Sequence, residues 1–232
     1  MKLRMLVVSA IGMIASANLA HPATLSGSLT VDNFFFAYVS TSDSTLGTLV
    51  ASGADWPTTV SLSQALTPGV TNYLHIEAIN EWGPAMFVGQ FSLDNTLFMF
   101  ANGTQSLLTD TPHWSAIFNN TNNSATEQTW VMPTGGGVTS FGPNDGSVST
   151  PWGLFSDIDS SAQFIWSNAL LADPNGACGS DDIHGCTVDF STPITLTTPS
   201  AVPLPGALPL FASGLVGLGL LGWRRQRRAV AA

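Results

Sequence analysis

Leu74-His75-Ile76-Glu77-Ala78-Ile79 sets Leu74, Ile76 and Ala78 against His75, Glu77 and Ile79. A period of two is the repeat of a β-strand, whose successive side chains point to opposite faces, so one of the two sets faces a core. The aromatic run Phe34-Phe35-Phe36-Ala37-Tyr38-Val39 is equally suited to a strand. Met86 to Leu93, Leu97 to Phe100, Thr129 to Met132, Gln163 to Trp166 and Thr187 to Thr195 read the same way. Turn signals separate them: Pro68-Gly69, Asn102-Gly103, Pro143-Asn144-Asp145-Gly146 and Pro174-Asn175-Gly176. Asn119 to Ala125 and Thr134 to Val148 read as surface loops. No helical periodicity lasts. Many short strands between tight turns predict an all-β fold, an antiparallel β-sandwich or jelly roll, rather than an α/β fold.

Charge divides the chain more sharply than hydropathy does. The six basic residues are Lys2, Arg4, Arg224, Arg225, Arg227 and Arg228, while all fifteen acids lie between Asp32 and Asp189. The middle of the chain therefore has no Lys or Arg to pair with a carboxylate. Its acids must be solvated, hydrogen-bonded, paired with His or bound to a cation. A nucleic-acid partner is excluded from expectation, because nothing there neutralises phosphate. An acidic coat also keeps a secreted domain soluble.

Both ends read as addresses. Lys2 and Arg4 precede the apolar run Leu6 to Ile14, then the small-residue site Ala15-Ser16-Ala17 and Ala20. That order predicts a secretory signal peptide over residues 1–20. An ectodomain over 21–198 and a tail over 199–232 follow. In the tail, Val202-Pro203-Leu204-Pro205 leads into the uncharged apolar span 206–223 and then Arg224, Arg225, Arg227 and Arg228. A helix over that span would cover about 27 Å, enough for one crossing of a hydrocarbon core. The arginines would hold its end in the cytoplasm.

A proline-rich tetrapeptide, one apolar helix and a terminal arginine cluster resemble the PEP-CTERM sorting signal. The resemblance covers Val202 to Arg228 and departs from many members at Leu204, where they have Glu. It implies an exosortase-type membrane transpeptidase as partner and an association with exopolysaccharide. It further implies an inner-membrane precursor facing the periplasm that passes on to the outer surface or matrix.

Between Leu29 and Leu93 the chain resembles galactose-binding-like modules. Asp32-Asn33 stands before an aromatic strand, followed by Gly53-Ala54-Asp55-Trp56 and Leu66-Thr67-Pro68-Gly69-Val70. The strand His75 to Asn80 then ends at Gly83-Pro84-Ala85, and Ala162 to Ser167 resembles a closing strand. That likeness implies a sandwich and carries no function with it.

Candidate site residues fall into three groups. Cys178 and Cys186 are the only cysteines, and in an exported protein so close a pair predicts a disulfide. Asp173, Asn175, Asp181 and Asp182 crowd the same region with oxygen ligands suited to Ca²⁺, although no EF-hand pattern is present; no other cofactor is expected. Trp56 and Trp82 stand beside turns, where an exposed ring can stack on sugar, whereas Trp166 lies in an apolar run and belongs in the core. The chain lacks a Gly-x-Ser-x-Gly elbow, a His-Glu-x-x-His helix and a P-loop, and His75-x-Glu77 has no Pro-Cys-x-x-Cys partner. Glu77 and Glu81 are the carboxylates weighed for glycosidase chemistry, and nothing in the sequence pairs either with a second acid. The reading is a non-enzymatic envelope or matrix protein whose sandwich binds polysaccharide. A structural or adhesive protein that contacts other proteins is the alternative, and a glycan-processing enzyme the third.

Overall fold

The computed structural model describes residues 22–81, 84–123, 130–147, 152–168 and 185–197. They form twelve strands: β1 (Thr24–Asp32), β2 (Phe34–Ser40), β3 (Thr48–Gly53), β4 (Val60–Ala65), β5 (Asn72–Asn80), β6 (Met86–Leu93), β7 (Phe98–Phe100), β8 (Ser106–Leu108), β9 (Ser115–Asn123), β10 (Val138–Pro143), β11 (Gln163–Ser167) and β12 (Gly185–Leu196). All pairings are antiparallel. Sheet A runs β10-β11-β6-β1-β4, with β8 also on β6, and sheet B runs β3-β2-β5-β12-β7, with β9 also on β12. The expected all-β architecture of two antiparallel sheets is the one observed.

The sandwich core follows from period-two patterning on the inner faces. Leu25, Leu29 and Val31 of β1, with Phe87 and Phe91 of β6, meet Leu74, Ile76 and Ala78 of β5 and Val188, Phe190 and Ile194 of β12. The Phe87 ring lies 5.2 Å from Phe190, and Trp114 stands edge-on to Phe87 at 5.1 Å. Each such side chain contributes roughly 1.5–3 kcal/mol by leaving water. Trp166 is buried against Phe190, as expected of its apolar run.

A second, smaller cluster covers part of the outer face of sheet A. Met86 and Val88 point away from the main core and are capped by Phe164 and by Trp152, Phe155 and Ile158 of the connection before β11. Asn144 clamps that connection: it is fully buried, its Nδ2 donates to the carbonyls of Phe155 and Ile158 at 2.9 and 2.8 Å, and its Oδ1 accepts from the Phe155 amide at 2.8 Å.

Several local expectations are corrected. In β5 the expected set Leu74, Ile76 and Ala78 does face the core, but the other face is buried too, so that every residue but Tyr73 is buried between β2 and β12. Residues 119–123 lie in β9 rather than in a loop, since the free edge of β12 offers their backbone a ladder that their polar side chains do not advertise. The glycine-rich stretch contains β10, which Gly135, Gly136 and Gly137, all at positive φ, lead into. Conversely, Trp130 to Met132 is not a strand; it lies as a strap on sheet B. No helix among the described residues is long and apolar enough to cross a membrane. The signal-peptide segment 1–20 and the span 206–223 lie outside the described residues.

Candidate functional site

Two surfaces of the sandwich bear polar groups in ordered array. On the outer face of sheet A, register aligns Ser63, Ser26, Ser92 and Ser106 across β4, β1, β6 and β8. The next row is Ser61, Ser28, Gln90 and Leu108. Adjacent strands are about 4.8 Å apart, so the hydroxyls form a grid on that interval. A groove of ≈ 470 Å³ runs over this face, lined by Ser26, Ser28, Ser61, Gln90, Ser92 and Ser106. Gln90 also belongs to a neighbouring groove with Leu154, Ser156, Asp157 and Asp159. It holds that wall in place, Nε2 donating to the Asp157 carbonyl and Oε1 accepting from the Asp159 amide, both at 2.9 Å. Ser161 donates twice to Asp159, holding its exposed carboxyl below the ordinary range. The polar part of the lining is thus hydroxyl, amide and carboxylate, without a cation, beside apolar Leu62, Phe91, Leu154 and Ile158.

The outer face of sheet B is different, because its polar groups are buried. Tyr38, His75, Glu77, Thr187, Asp189 and Ser191 share this face and are screened from solvent. His75 Nε2 lies 3.1 Å from Asp43 Oδ1 and its Nδ1 lies 3.2 Å from the Leu46 carbonyl. Both neighbours are acceptors, which favours an imidazolium, but burial is the larger influence and pushes the His75 pKa below its ordinary value. The Trp130 ring stacks on His75 at 4.2 Å, and its indole N–H donates to the Asp43 carbonyl at 2.8 Å. Ser191 donates to Asp43 Oδ1 at 2.5 Å. Asp43 Oδ1 thus receives the Ser191 hydroxyl and faces His75 Nε2, whereas in a nucleophilic triad the serine hydroxyl donates to the imidazole.

Asp189 is the second focus of this layer. Its Oδ2 accepts from Asn119 Nδ2 at 2.9 Å and from the Val131 amide at 2.8 Å. Burial first, and then the charge of Glu77, push its pKa up to about 7 against the pull of those two donors. Tyr38 Oη approaches Glu77 Oε2 at 3.5 Å, and its pKa is raised, chiefly by burial.

Of the residues singled out by sequence, Trp56 is half-buried, with its ring edge-on to Phe155 at 6.3 Å and its carbonyl accepting from Thr30 Oγ1 at 2.8 Å. Cys186 is buried at the start of β12, and no free cysteine occurs among the described residues. Cys178, Trp82, Asp173, Asn175, Asp181, Asp182 and the segment Val202 to Arg228 lie outside the described residues. Among the described residues no three His, Cys, Asp or Glu side chains gather as a metal would require. Glu77 is fully buried and Glu81 exposed, so the two carboxylates do not share an environment. Sequence reasoning missed the serine rows and Asp189, although the Ser-x-Ser pairs at 26, 28 and at 61, 63 were a legible signal for the rows.

Comparison of the chain with protein-family models, with curated proteins and with solved structures found no match.

Proposed function

We propose that the chain is an exported protein of the cell envelope or extracellular matrix whose β-sandwich binds neutral polysaccharide along the outer face of sheet A. The observation that carries this reading is the groove lined by serines and Gln90. Hydroxyl and amide groups exchange hydrogen bonds with the hydroxyls of a glycan, and the missing cations leave nothing to attract an anionic partner. Export and sorting rest on the two ends of the sequence: a signal peptide, and a PEP-CTERM-like tail handled by an exosortase-type transpeptidase. The galactose-binding-like resemblance belongs to this reading as the kind of sandwich it names. A Cys178–Cys186 disulfide fits the oxidising compartment.

A glycan array probed with the purified chain, with Ca²⁺ and with chelator, tests the binding role. Retention of neutral glycans that is lost in a Ser28→Leu, Ser92→Leu double variant of unchanged melting temperature supports it. Equal retention by both proteins places binding elsewhere. Tags on the ectodomain and on the C-terminus, followed in the native host, test the sorting role: the two tags separate if the tail is removed and stay on one species if it is a permanent anchor.

A further inference from the structure

Glu77 of β5 and Asp189 of β12 are direct register partners on the outer face of sheet B, and both are fully buried. Side chains so placed have Cβ atoms about 4.5–5.5 Å apart. Among the described residues, the elements packed around them bring the following polar groups. β2 brings Tyr38, β5 brings His75, β12 brings Ser191, the β2–β3 turn brings Asp43, and β9 brings Asn119. No Lys or Arg exists between Arg4 and Arg224, and His75 is already set against Asp43. Asp189 Oδ1, fully enclosed, has no hydrogen-bond partner among the described residues. Two carboxylates at this separation, both closed off from solvent, do not both stay ionised.

The lid over this layer is the strap at Trp130 and Val131. Among the described residues three contacts hold it: the Val131 amide on Asp189, the Trp130 ring on His75, and the Trp130 indole N–H on the Asp43 carbonyl. Two of the three are therefore made to titratable groups. We propose that the strap is a pH-operated latch, closed over sheet B while Asp189 and Glu77 hold a proton between them and released when that proton leaves. Release admits water to the pair, which is the relief an enclosed dianion lacks.

The sign follows from linkage. Enclosure raises the Asp189 pKa above the ordinary carboxylate range, so the proton binds more tightly to the closed form and rising pH favours the open one. The closed-to-open ratio falls by at most tenfold per pH unit from the ordinary carboxylate range up to about 7 and is level above it. His75 acts in the opposite direction. Its pKa is lowered by burial, so its protonation in mild acid also favours opening, and the latch closes best between the two titrations.

Hydrogen exchange of the full chain, read by mass spectrometry on peptides covering residues 130–132 and corrected for intrinsic rates, tests the latch. The ratio of wild-type to Asp189→Asn protection there, in which the opposing contribution of His75 cancels, is expected to fall by up to about tenfold between pH 6 and 7.5 and then level off, while β6 keeps its protection. Glu77→Gln shrinks that fall. A ratio that does not change with pH overturns the proposal. If Asp189→Asn does not fold, the ratio of wild-type to Glu77→Gln protection, falling in the same direction, decides between the same outcomes.

Discussion

The ring of Phe91 occupies the space that a side chain at Gly27 would need: a Cβ there would lie 2.5 Å from Phe91 Cδ1 and 2.8 Å from the Gln90 carbonyl oxygen. The two residues are register partners across β1 and β6 on the core side of sheet A. Gly27→Ala is therefore an overpacking change against backbone as well as ring. It is expected to cost about 1–3 kcal/mol, measured by chemical denaturation. A variant as stable as the wild type would show that the ring is free to move aside.

Asn144 closes the connection that caps Met86 and Val88 with three hydrogen bonds to Phe155 and Ile158. Asn144→Ala leaves buried backbone groups unpaired, at about 1–3 kcal/mol for each group not rescued by water. The loss should be local first. Limited proteolysis should nick the variant within residues 152–162 under conditions in which the wild type is intact.

Trp152 donates its indole N–H to Asp32 Oδ2 at 2.9 Å, deep beside the second cluster. Burial raises the Asp32 pKa and this donor lowers it, so the bond favours the ionised carboxylate. Trp152→Phe should push Asp32 further up. The bond's share of the loss is expected to be about 1.5–3 kcal/mol at pH 7 and to shrink in acid, once Asp32 is protonated. Unfolding curves at pH 7 and pH 3.5 check this, and a loss independent of pH would assign the whole effect to packing.

Asp189 makes the sandwich itself sensitive to pH. Its folded pKa of about 7 lies above the unfolded value, so its contribution is greatest in acid and is lost as pH rises through about 7. Each pH unit across that interval is worth at most about 1.4 kcal/mol. The melting temperature of Asp189→Asn should gain on the wild type from pH 4 to pH 7 and keep a constant lead above. Taking the difference between the two proteins removes the opposing contribution of His75, whose lowered pKa costs stability as pH falls below the ordinary histidine value. A difference that does not change with pH would place the Asp189 proton outside this account.

Strand-rich architecture was legible wherever apolar runs and turn residues alternated. Met86 to Leu93 is β6 to the residue, and the aromatic run is β2 extended by Ser40. β1 escaped notice although Leu25, Leu29 and Val31 keep the period, because Gly27 breaks the apolar set and the ring that fills its place comes from Phe91, far along the chain. β3 and β4 are largely exposed and carry too little apolar patterning to stand out. The polar layer of sheet B was illegible for a deeper reason. Alternating His75 and Glu77 with apolar residues signals a solvated face, and the cover from Asp43, Leu46, Trp130 and Val131 reverses that meaning. The serine rows needed the register of four strands before they became a surface.

β12 is the last strand among the described residues and also a central member of sheet B, with β5 along one edge and β9 and β7 along the other. A chain delivered from its N-terminus, by a ribosome or through a translocation pore, therefore presents β2 and β5 long before the strand that completes them. Residue 77 must wait for residue 189, and contacts so distant in sequence form slowly. Until residues up to Leu196 have emerged, sheet B lacks the strand that joins β3-β2-β5 to β9 and to β7, and its polar layer is open to water. Sheet B consequently closes only when its central strand arrives, and a chain cut before β12 should be seen by proteases as unfolded along its whole length.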